Sequence, residues 1–385
     1  MAARNPLAMA MAMAILSLIS KLIQSCLKGV KIFMKVLTII GARPQFIKAA
    51  VVSRAFKEHR PDVQETIVHT GQHYDANMSD VFFDELEIPK PDYNLGVGGG
   101  THGQNTGRML EKLEGLMMDT QPRWVLVYGD TDSTLAGALA AAKLHIPVAH
   151  VEAGLRSFNR RMPEEINRVL TDHVGEILFA PTETGRQNLL NEGIEEEKIK
   201  LVGDVMYDAS LFYKKKARRP RLPAELDIKG NDFVLCTIHR AENTDDPQQL
   251  SNILQGLGDS AETIVLPLHP RTRAKIADFS FVIPENVWVI EPVGYLEMVW
   301  LEINCHLVAT DSGGVQKEAY FFGKPCVTLR NETEWVELVE AGWNRLVGAD
   351  AEAIVRSIRA CRAGNPNEAL YGKGNAGKQV VTCLR

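Results

Sequence analysis

The chain lacks the short patterns that usually mark metal centres, redox cofactors and phosphate-hydrolysing loops. Its 385 residues contain no C-x-x-C pair, no H-E-x-x-H or H-x-x-E-H, and no G-x-x-x-x-G-K-[ST]. No G-x-G-x-x-G joins a first strand to its helix in either half of the chain. Metal, dinucleotide redox and ATP-hydrolysing sites are therefore not indicated, and we expect a bound nucleotide to be a substrate.

An excess of charge of one sign is also absent. The net charge is -5 at pH 7, and the one dense basic run, 214–221, lies beside prolines in a predicted linker. Nucleic acid is therefore not an expected partner. The six cysteines are scattered. Cys236 and Cys326 fall in apolar runs, which predicts small buried side chains in a reducing compartment.

The first 33 residues differ in character from the rest of the chain. Residues 7–27 are largely apolar, but Lys21 interrupts the run and no clear A-x-A cleavage site follows. Met34 then precedes a clean strand pattern. We predict that 1–33 is an extension upstream of a domain that begins at Met34, in a cytoplasmic enzyme that requires no membrane. A signal peptide is the alternative.

From Met34 onward, short β-branched runs alternate with helical stretches, which is typical of parallel sheets covered by helices on both faces. The alternation pauses at 213–227, where Lys, Arg and Pro cluster, and then restarts. We predict an α/β protein with two Rossmann-like domains, 34–205 and 206–365, facing each other across a cleft. The glycine-rich segment 92–106 is predicted to be a mobile loop. The predicted strands are 36–40, 65–69, 124–128, 148–152, 177–180, 198–202, 233–238, 263–266, 287–290, 307–309 and 327–329.

The segment 307–319 runs from an apolar strand through a serine and two glycines into a helix. Ser312 offers a hydroxyl, while Gly313 and Gly314 leave the N–H groups of the helix start open to a phosphate. Glu318, one turn further, is suited to accept hydrogen bonds from a ribose. The segment predicts half of a nucleotide site, although a plain helix cap by Ser312 explains it equally well by itself.

Two cations follow the first strand where a helix begins. Arg43 can clamp a phosphate with its planar guanidinium, and Lys48 lies one turn on. The alternative is a pair of surface cations. Ligands bind beyond the carboxyl ends of strands in open α/β sheets, which favours the functional interpretation.

Acidic residues end two further strands of the first half. Asp130 follows the third predicted strand, and helix capping does not explain it, because Asp132 or Ser133 is the expected cap. Glu152 ends the fourth strand, where an acid contributes nothing to stability unless it is paired. Arg156 is one available partner.

Glu164 and His239 complete the candidate set. Glu164 lies in a first helical turn, where acids are common and where Arg168 is an expected partner. His239 follows a strand of the second half and alone would read as a loop cap. Together with three carboxylates it becomes a candidate acid, base or phosphate ligand. The set suits nucleotide-sugar chemistry with acid and base on two faces of a ring.

These motifs resemble those of the non-hydrolysing UDP-N-acetylglucosamine 2-epimerases, from residue 34 nearly to the end. The matching segments are Gly41-Ala42-Arg43-Pro44, Gly129-Asp130-Thr131, His150-Val151-Glu152-Ala153-Gly154-Leu155-Arg156, Pro163-Glu164-Glu165, Thr310-Asp311-Ser312-Gly313-Gly314 and Gly323-Lys324-Pro325.

The resemblance implies an isomerase with a glycosyltransferase-B-like fold, whose last helix, about 366–385, returns to the first domain. It implies a homodimer that binds a UDP-sugar and needs no nicotinamide or metal. It also implies interconversion of UDP-GlcNAc and UDP-ManNAc for surface polysaccharide synthesis, by anti elimination of UDP to a 2-acetamidoglucal and re-addition. By motif, the catalytic residues are Asp130, Glu152, Glu164 and His239. The UDP contacts are Arg43, Ser312, Gly313, Gly314, Glu318 and Arg330. We add Lys48 to the expected UDP contacts because it lies near Arg43.

The chain also departs from the family pattern. Members activated by a second UDP-sugar carry a Gln-His-Arg-Gln loop, whereas 72–75 reads Gln-His-Tyr-Asp, which argues against that activation. Segments 42–46, 98–100 and 333–337 are closer to a branch that epimerises UDP-2,3-diacetamido-2,3-dideoxyglucuronate, the alternative substrate. A glycosyltransferase of the same architecture is a more distant alternative, which the three carboxylates disfavour.

Overall fold

The computed structural model describes residues 33–72, 83, 85–226, 228, 230–360, 362–365 and 369–385. Residues 1–32 of the predicted extension lie outside this part, as do positions 73–75, on which the prediction about activation rests. None of the described helices is long and apolar enough to cross a membrane.

All the strand pairings in the described residues are parallel. The central strands are continuous buried runs because helices cover both faces of each sheet. The strands are β1 Met34–Ile40, β2 Val63–His69, β3 Tyr93–Asn94, β4 Trp124–Tyr128, β5 Val148–Val151, β6 Ile177–Ala180, β7 Ile199–Leu201, β8 Val234–Thr237, β9 Ile264–Pro267, β10 Val287–Ile290, β11 Leu307–Thr310, β12 Cys326–Thr328 and β13 Asn344–Leu346.

Helices connect the strands in chain order. They are α1 Arg43–His59, α2 His102–Thr120, α3 Asp132–Lys143, α4 Pro163–Val174, α5 Glu183–Asn191, α6 Val205–Lys214, α7 Ala241–Thr244, α8 Pro247–Asp259, α9 Pro270–Asp278, α10 Tyr295–Asn304, α11 Gly313–Phe321, α12 Val336–Glu340, α13 Ala351–Ala360 and α14 Ala376–Cys383. The last helix, α14, packs against α1 and α6. Its Gln379 donates to the Val202 carbonyl at 3.0 Å.

The strands of the two sheets are ordered in the same way. Among the described residues the first sheet has the order β3-β2-β1-β4-β5-β6-β7, and the second has β10-β9-β8-β11-β12-β13. In each sheet the winding reverses direction between two neighbouring strands, β1 and β4 in the first and β8 and β11 in the second. Such a reversal leaves a crevice beyond the carboxyl ends of the two strands. The predicted fold class, two doubly wound α/β domains, is confirmed.

Some local predictions were wrong. Segment 92–106, predicted to be a loop, contributes β3 and the first turn of α2, because Thr101 caps that helix. Helix α3 is capped by Thr131 and not by Asp132 or Ser133. Asp132 contacts His102 instead, whose Nδ1 lies 3.0 Å from the Asp132 carboxylate. The predicted linker from 213 overlaps the end of α6.

Candidate functional site

The two winding reversals gather most of the candidate residues. Arg43 follows β1, and Asp130 follows β4, the neighbour of β1 in the sheet. His239 follows β8, and Ser312 follows β11, the neighbour of β8. Each domain therefore presents a group of polar residues at the crevice where an α/β sheet binds its ligand.

Glu152 comes directly after β5 and is buried, with a φ of 74°. Lys48 pairs with one carboxylate oxygen, and the Lys317 ammonium lies 2.9 Å from the other. Burial by itself would raise the pKa of Glu152, but Lys317 and Lys48 outweigh burial and hold the pKa well below its usual range. Glu152 is therefore an ionised carboxylate with both oxygens engaged.

The loop that presents Glu152 is built around a second buried acid, Asp172 of α4. Its Oδ1 lies 2.7 Å from His150 Nδ1, and its Oδ2 lies 2.8 Å from an Arg156 nitrogen. Arg156, which the sequence offered as one available partner of Glu152, is held instead by Asp172. His150 and Arg156 thus shape the loop, which explains why a charged motif occurs inside the fold.

Asp130 and Glu164 are more accessible than Glu152. The Asp130 side chain is 31% exposed, and its Oδ2 lies 2.6 Å from Arg168 Nη2. Arg168 also pairs with Glu165 at 2.9 Å. The predicted pair between Arg168 and Glu164 was therefore wrong, and Glu164 stays half-buried in the first turn of α4.

His239 is oriented by Asp311, the residue that follows β11. Its Nδ1 lies 3.1 Å from Asp311 Oδ1, and the backbone N–H groups of His239 and Arg240 donate to the same carboxylate. Burial would raise the pKa of Asp311, but the contacts with His239 and these N–H groups hold it below its usual range. Because Nδ1 is engaged, Nε2 of the 44% exposed His239 is the nitrogen open to a ligand.

The turn before α11 is a helix cap whose geometry also suits an anion. The Ser312 hydroxyl accepts from the Val315 N–H at 3.4 Å, so the capping interpretation is correct. The N–H groups of Gly313 and Gly314 still lie at the helix start, where the helix dipole favours an anion. Trp335 braces the turn, since its Nε1 donates to the Gly313 carbonyl at 2.9 Å.

The candidate cations differ in accessibility. Lys48 is buried against Glu152, whereas Arg43 is half-buried at the start of the same helix. In the second domain, Arg330 follows β12 and its Nη1 lies 2.8 Å from Glu334. The buried Nε of Arg330 has no hydrogen-bond partner among the described residues. Of the two candidate cations of the first domain, Arg43 is therefore the more accessible.

Glu318 shares its pocket with a second acid, Glu302 of α10. The Tyr295 hydroxyl donates to Glu318 at 3.0 Å. Glu302 is fully buried, and no N–H or hydroxyl of the described residues reaches its carboxylate oxygens. Two buried neighbouring carboxylates cannot both stay ionised. Burial and the contact with Glu318 raise the pKa of Glu302, and burial raises that of Glu318 to about 7.

This acid pair predicts a loss of stability with rising pH. A carboxyl whose folded pKa is raised contributes full stability below its unfolded pKa of 4.5, and that contribution is lost as the pH rises through about 7. Glu302→Gln should remove the repulsion, because an amide can donate to Glu318. We expect the thermal midpoint of the wild type to fall between pH 6 and pH 8 relative to that of Glu302→Gln. If the midpoints of the wild type and Glu302→Gln changed in parallel across this range, Glu302 and Glu318 would not share one proton. The exposed control Glu291→Gln should change in parallel with the wild type.

Some residues of the site were not singled out from the sequence. Asp311 ends an apolar strand just as Glu152 does, so the criterion used for Glu152 would have found it. Lys317 lies on the buried side of α11, where an unpaired lysine would be costly, and that placement was a usable signal. Asp204, the cap of α6, gave no local sign of its contact with Lys317.

Two facing doubly wound domains, with a glycine-bearing helix start and several carboxylates at the strand ends, define a nucleotide-sugar enzyme of the glycosyltransferase-B-like fold. A profile described as UDP-N-acetylglucosamine 2-epimerase matches residues 55–385. The chain belongs to this family and is an isomerase, which confirms the predicted family and enzyme class.

The chain matches individual relatives over nearly their whole length. The chain is 57% identical to the UDP-2,3-diacetamido-2,3-dideoxy-D-glucuronate 2-epimerase of Pseudomonas aeruginosa, covering 91% of this chain and 99% of that protein. It is 45% identical to the UDP-N-acetylglucosamine 2-epimerase of Methanocaldococcus jannaschii, with the same coverage, 91% and 99%. A crystal structure of an M. jannaschii UDP-GlcNAc 2-epimerase in complex with UDP-GlcNAc and UDP superimposes with a TM-score of 0.80, at 43% identity over 91% of this chain and 99% of that one.

Proposed function

We propose that this protein inverts C2 of a UDP-linked 2-acetamido sugar by anti elimination and re-addition of UDP. The observation that carries the proposal is the contact between α11 and Glu152. The helix that would hold the diphosphate at its start reaches the strand-end carboxylate of the other domain through Lys317, at 2.9 Å. The leaving group and the strand-end carboxylates of the first domain would thus share one crevice.

The chemistry explains why both kinds of group are needed. The C2 hydrogen of an intact hexose is not acidic, so its removal is coupled to the departure of a good leaving group from C1. The C2–H bond breaks, its electrons form the C1=C2 bond of the 2-acetamidoglucal, and the C1–O bond breaks to release UDP. A protein group takes the proton. Return of a proton to the opposite face, with re-addition of UDP at C1, gives the epimer.

The geometry supports a division of roles. Asp130 and Glu164 are accessible carboxylates and the better candidates for proton transfer on the two faces. Glu152, kept ionised by two ammonium groups, is a weak base, and we assign it to positioning. His239 is a candidate acid or phosphate contact through Nε2. The diphosphate would bind the N–H groups of Gly313 and Gly314, with the Ser312 hydroxyl, Arg43 and Arg330, and Glu318 would accept from the ribose.

Two sugars are candidates. Identity is 57% to the relative named for the diacetamido uronate, against 53% to a relative named as a UDP-N-acetylglucosamine 2-epimerase homolog and 45% and 37% to two named as UDP-N-acetylglucosamine 2-epimerases. This difference favours UDP-2,3-diacetamido-2,3-dideoxyglucuronate. The interconversion of UDP-GlcNAc and UDP-ManNAc, the first expectation from the motifs, is the second candidate.

An exchange experiment tests the reaction and the substrate together. The protein is incubated in D2O with each UDP-sugar, and C2 is followed by NMR. Deuterium at C2 together with a second UDP-sugar is expected for the true substrate. Exchange with neither sugar would overturn the proposal, while release of free sugar without a second UDP-sugar would indicate hydrolysis.

The assembly and location belong to the same proposal. We propose a homodimer, supported by the exposed apolar residues Ile166 and Leu170 on α4, and light scattering during size-exclusion chromatography tests it. We propose a cytoplasmic enzyme, because nucleotide sugars are made there. We also propose that the two domains are 34–205 and 206–365, and that about 366–385 belongs to the first domain.

A further inference from the structure

Helix α11 carries functional groups that point in different directions. Its start presents Gly313 and Gly314 after the Ser312 cap, and Glu318 lies in the second turn. Lys317 lies between these groups, but its side chain leaves the second domain and enters the first. One rigid helix therefore connects the nucleotide side of the crevice to the opposite domain.

The Lys317 ammonium is enclosed by acids of the first domain. It lies 2.9 Å from Glu152 Oε1 and 2.5 Å from Asp204 Oδ2. Lys48 takes the remaining oxygen of Glu152. All these side chains are buried, and two ammonium groups balance two carboxylates. If the domains separated, Asp204 and Glu152 would lose the cation between them, which is costly for buried acids.

Trp335 connects this cluster to the start of α11. Its Nε1 holds the Gly313 carbonyl at 2.9 Å, and the Lys317 ammonium lies 4.1 Å from the centroid of its ring. A displacement of the helix start would therefore move Trp335 and Lys317 together. Because Lys317 touches Glu152 directly, the displacement would reach that carboxylate.

We propose that Lys317 is a positioning residue that couples occupancy of the nucleotide site at the start of α11 to the placement of Glu152, by locking the two domains together. The identity of the nucleotide, UDP, rests on the proposed function. We expect no direct contact between Lys317 and the nucleotide, because Glu152 and Asp204 enclose its ammonium. Its loss should therefore affect turnover and domain closure, and not the affinity for UDP.

The test compares Lys317→Met and Lys317→Gln with Lys317→Arg, which keeps the cation. The matched control is Lys112→Met, which removes an exposed ammonium whose one hydrogen bond to the described residues is to the Leu95 carbonyl, at 2.7 Å. Turnover and KM are measured with the UDP-sugar, UDP affinity by calorimetry, and domain closure by small-angle X-ray scattering with and without UDP. Unfolding midpoints are measured for every variant.

We expect turnover to fall about 100-fold in Lys317→Met and Lys317→Gln, since a misplacement of about 1 Å can cost that much. UDP affinity should stay within about threefold, a change below about 1 kcal/mol. We expect UDP to compact the wild type and not Lys317→Met or Lys317→Gln, and Lys317→Arg should restore part of the turnover and of the compaction.

Two results would overturn the proposal. One is turnover in Lys317→Met within about fivefold of the wild type, which is a loss of less than about 1 kcal/mol of transition-state stabilisation. The other is a parallel loss of UDP affinity, turnover and unfolding midpoint that Lys317→Arg does not relieve, which is the pattern of a purely structural residue. If wild-type protein exchanges no C2 hydrogen, the proposed function fails, but UDP binding and closure still decide the role of Lys317.

Discussion

Asp130→Asn should abolish exchange of the sugar C2 hydrogen with solvent deuterium while UDP still binds nearly as well as to the wild type. Asp130 follows β4 at the reversal of the first sheet, and its carboxylate is partly exposed beside Arg168. Asparagine keeps the shape but cannot take up a proton. We expect the exchange rate by NMR to fall by about 100- to 10,000-fold, the usual contribution of an acid–base group.

The fold should tolerate this change. Arg168 keeps its contact with Glu165 at 2.9 Å, so the guanidinium is not left alone. Glu183→Gln is the matched control, because it breaks a comparable ion pair with Arg186 at 2.6 Å outside the crevice, and it should retain full exchange. Loss of UDP binding in Asp130→Asn would show instead that Asp130 is structural.

Asp172→Ala should destabilise the protein more than any other single change considered. The fully buried carboxylate holds His150 at 2.7 Å and Arg156 at 2.8 Å. Its removal leaves a buried guanidinium without this partner, although Glu192 still contacts the same side chain at 2.7 Å. Breaking a buried pair in this way costs about 3–5 kcal/mol of unfolding free energy. Urea unfolding followed by tryptophan fluorescence measures the loss.

An exposed acid provides the comparison. Asp246 caps α8 by accepting from the Gln248 N–H at 2.8 Å. Asp246→Ala should cost only about 1 kcal/mol, the usual value for a helix cap. Equal losses in Asp172→Ala and Asp246→Ala would show that the buried cluster around His150 contributes little to stability.

The long central strands were predictable because each is a buried apolar run. β4 and β6, which lie inside the first sheet, begin and end at the predicted residues, since helices on both faces of the sheet favour apolar side chains along these strands. The short strands β3 and β13 were missed. β3 has no buried residue and β13 has one, so neither shows an apolar run, and the pairing of each depends on the neighbouring strand being in place.

Caps and ion pairs were less predictable than strands. Thr131 caps α3, although Asp132 is an equally good capping residue, because His102 of another helix attracts the Asp132 carboxylate. Which residue caps the helix therefore depends on a contact with a residue of another helix. Arg156 was an available partner for Glu152 because it is near in the sequence, but the partners of both residues lie further away in the chain.

The sequence by itself determined the alternation of strands and helices, and it placed polar residues at the strand ends, because both depend on the local period of apolar residues. Only the tertiary structure decided which strand ends meet. The order that puts β1 beside β4, and β8 beside β11, comes from pairing between distant segments. Glu152 is held by Lys48 and Lys317, which lie 104 and 165 residues away in the chain. No local pattern records such contacts, because their energy exists only once both domains are folded and closed.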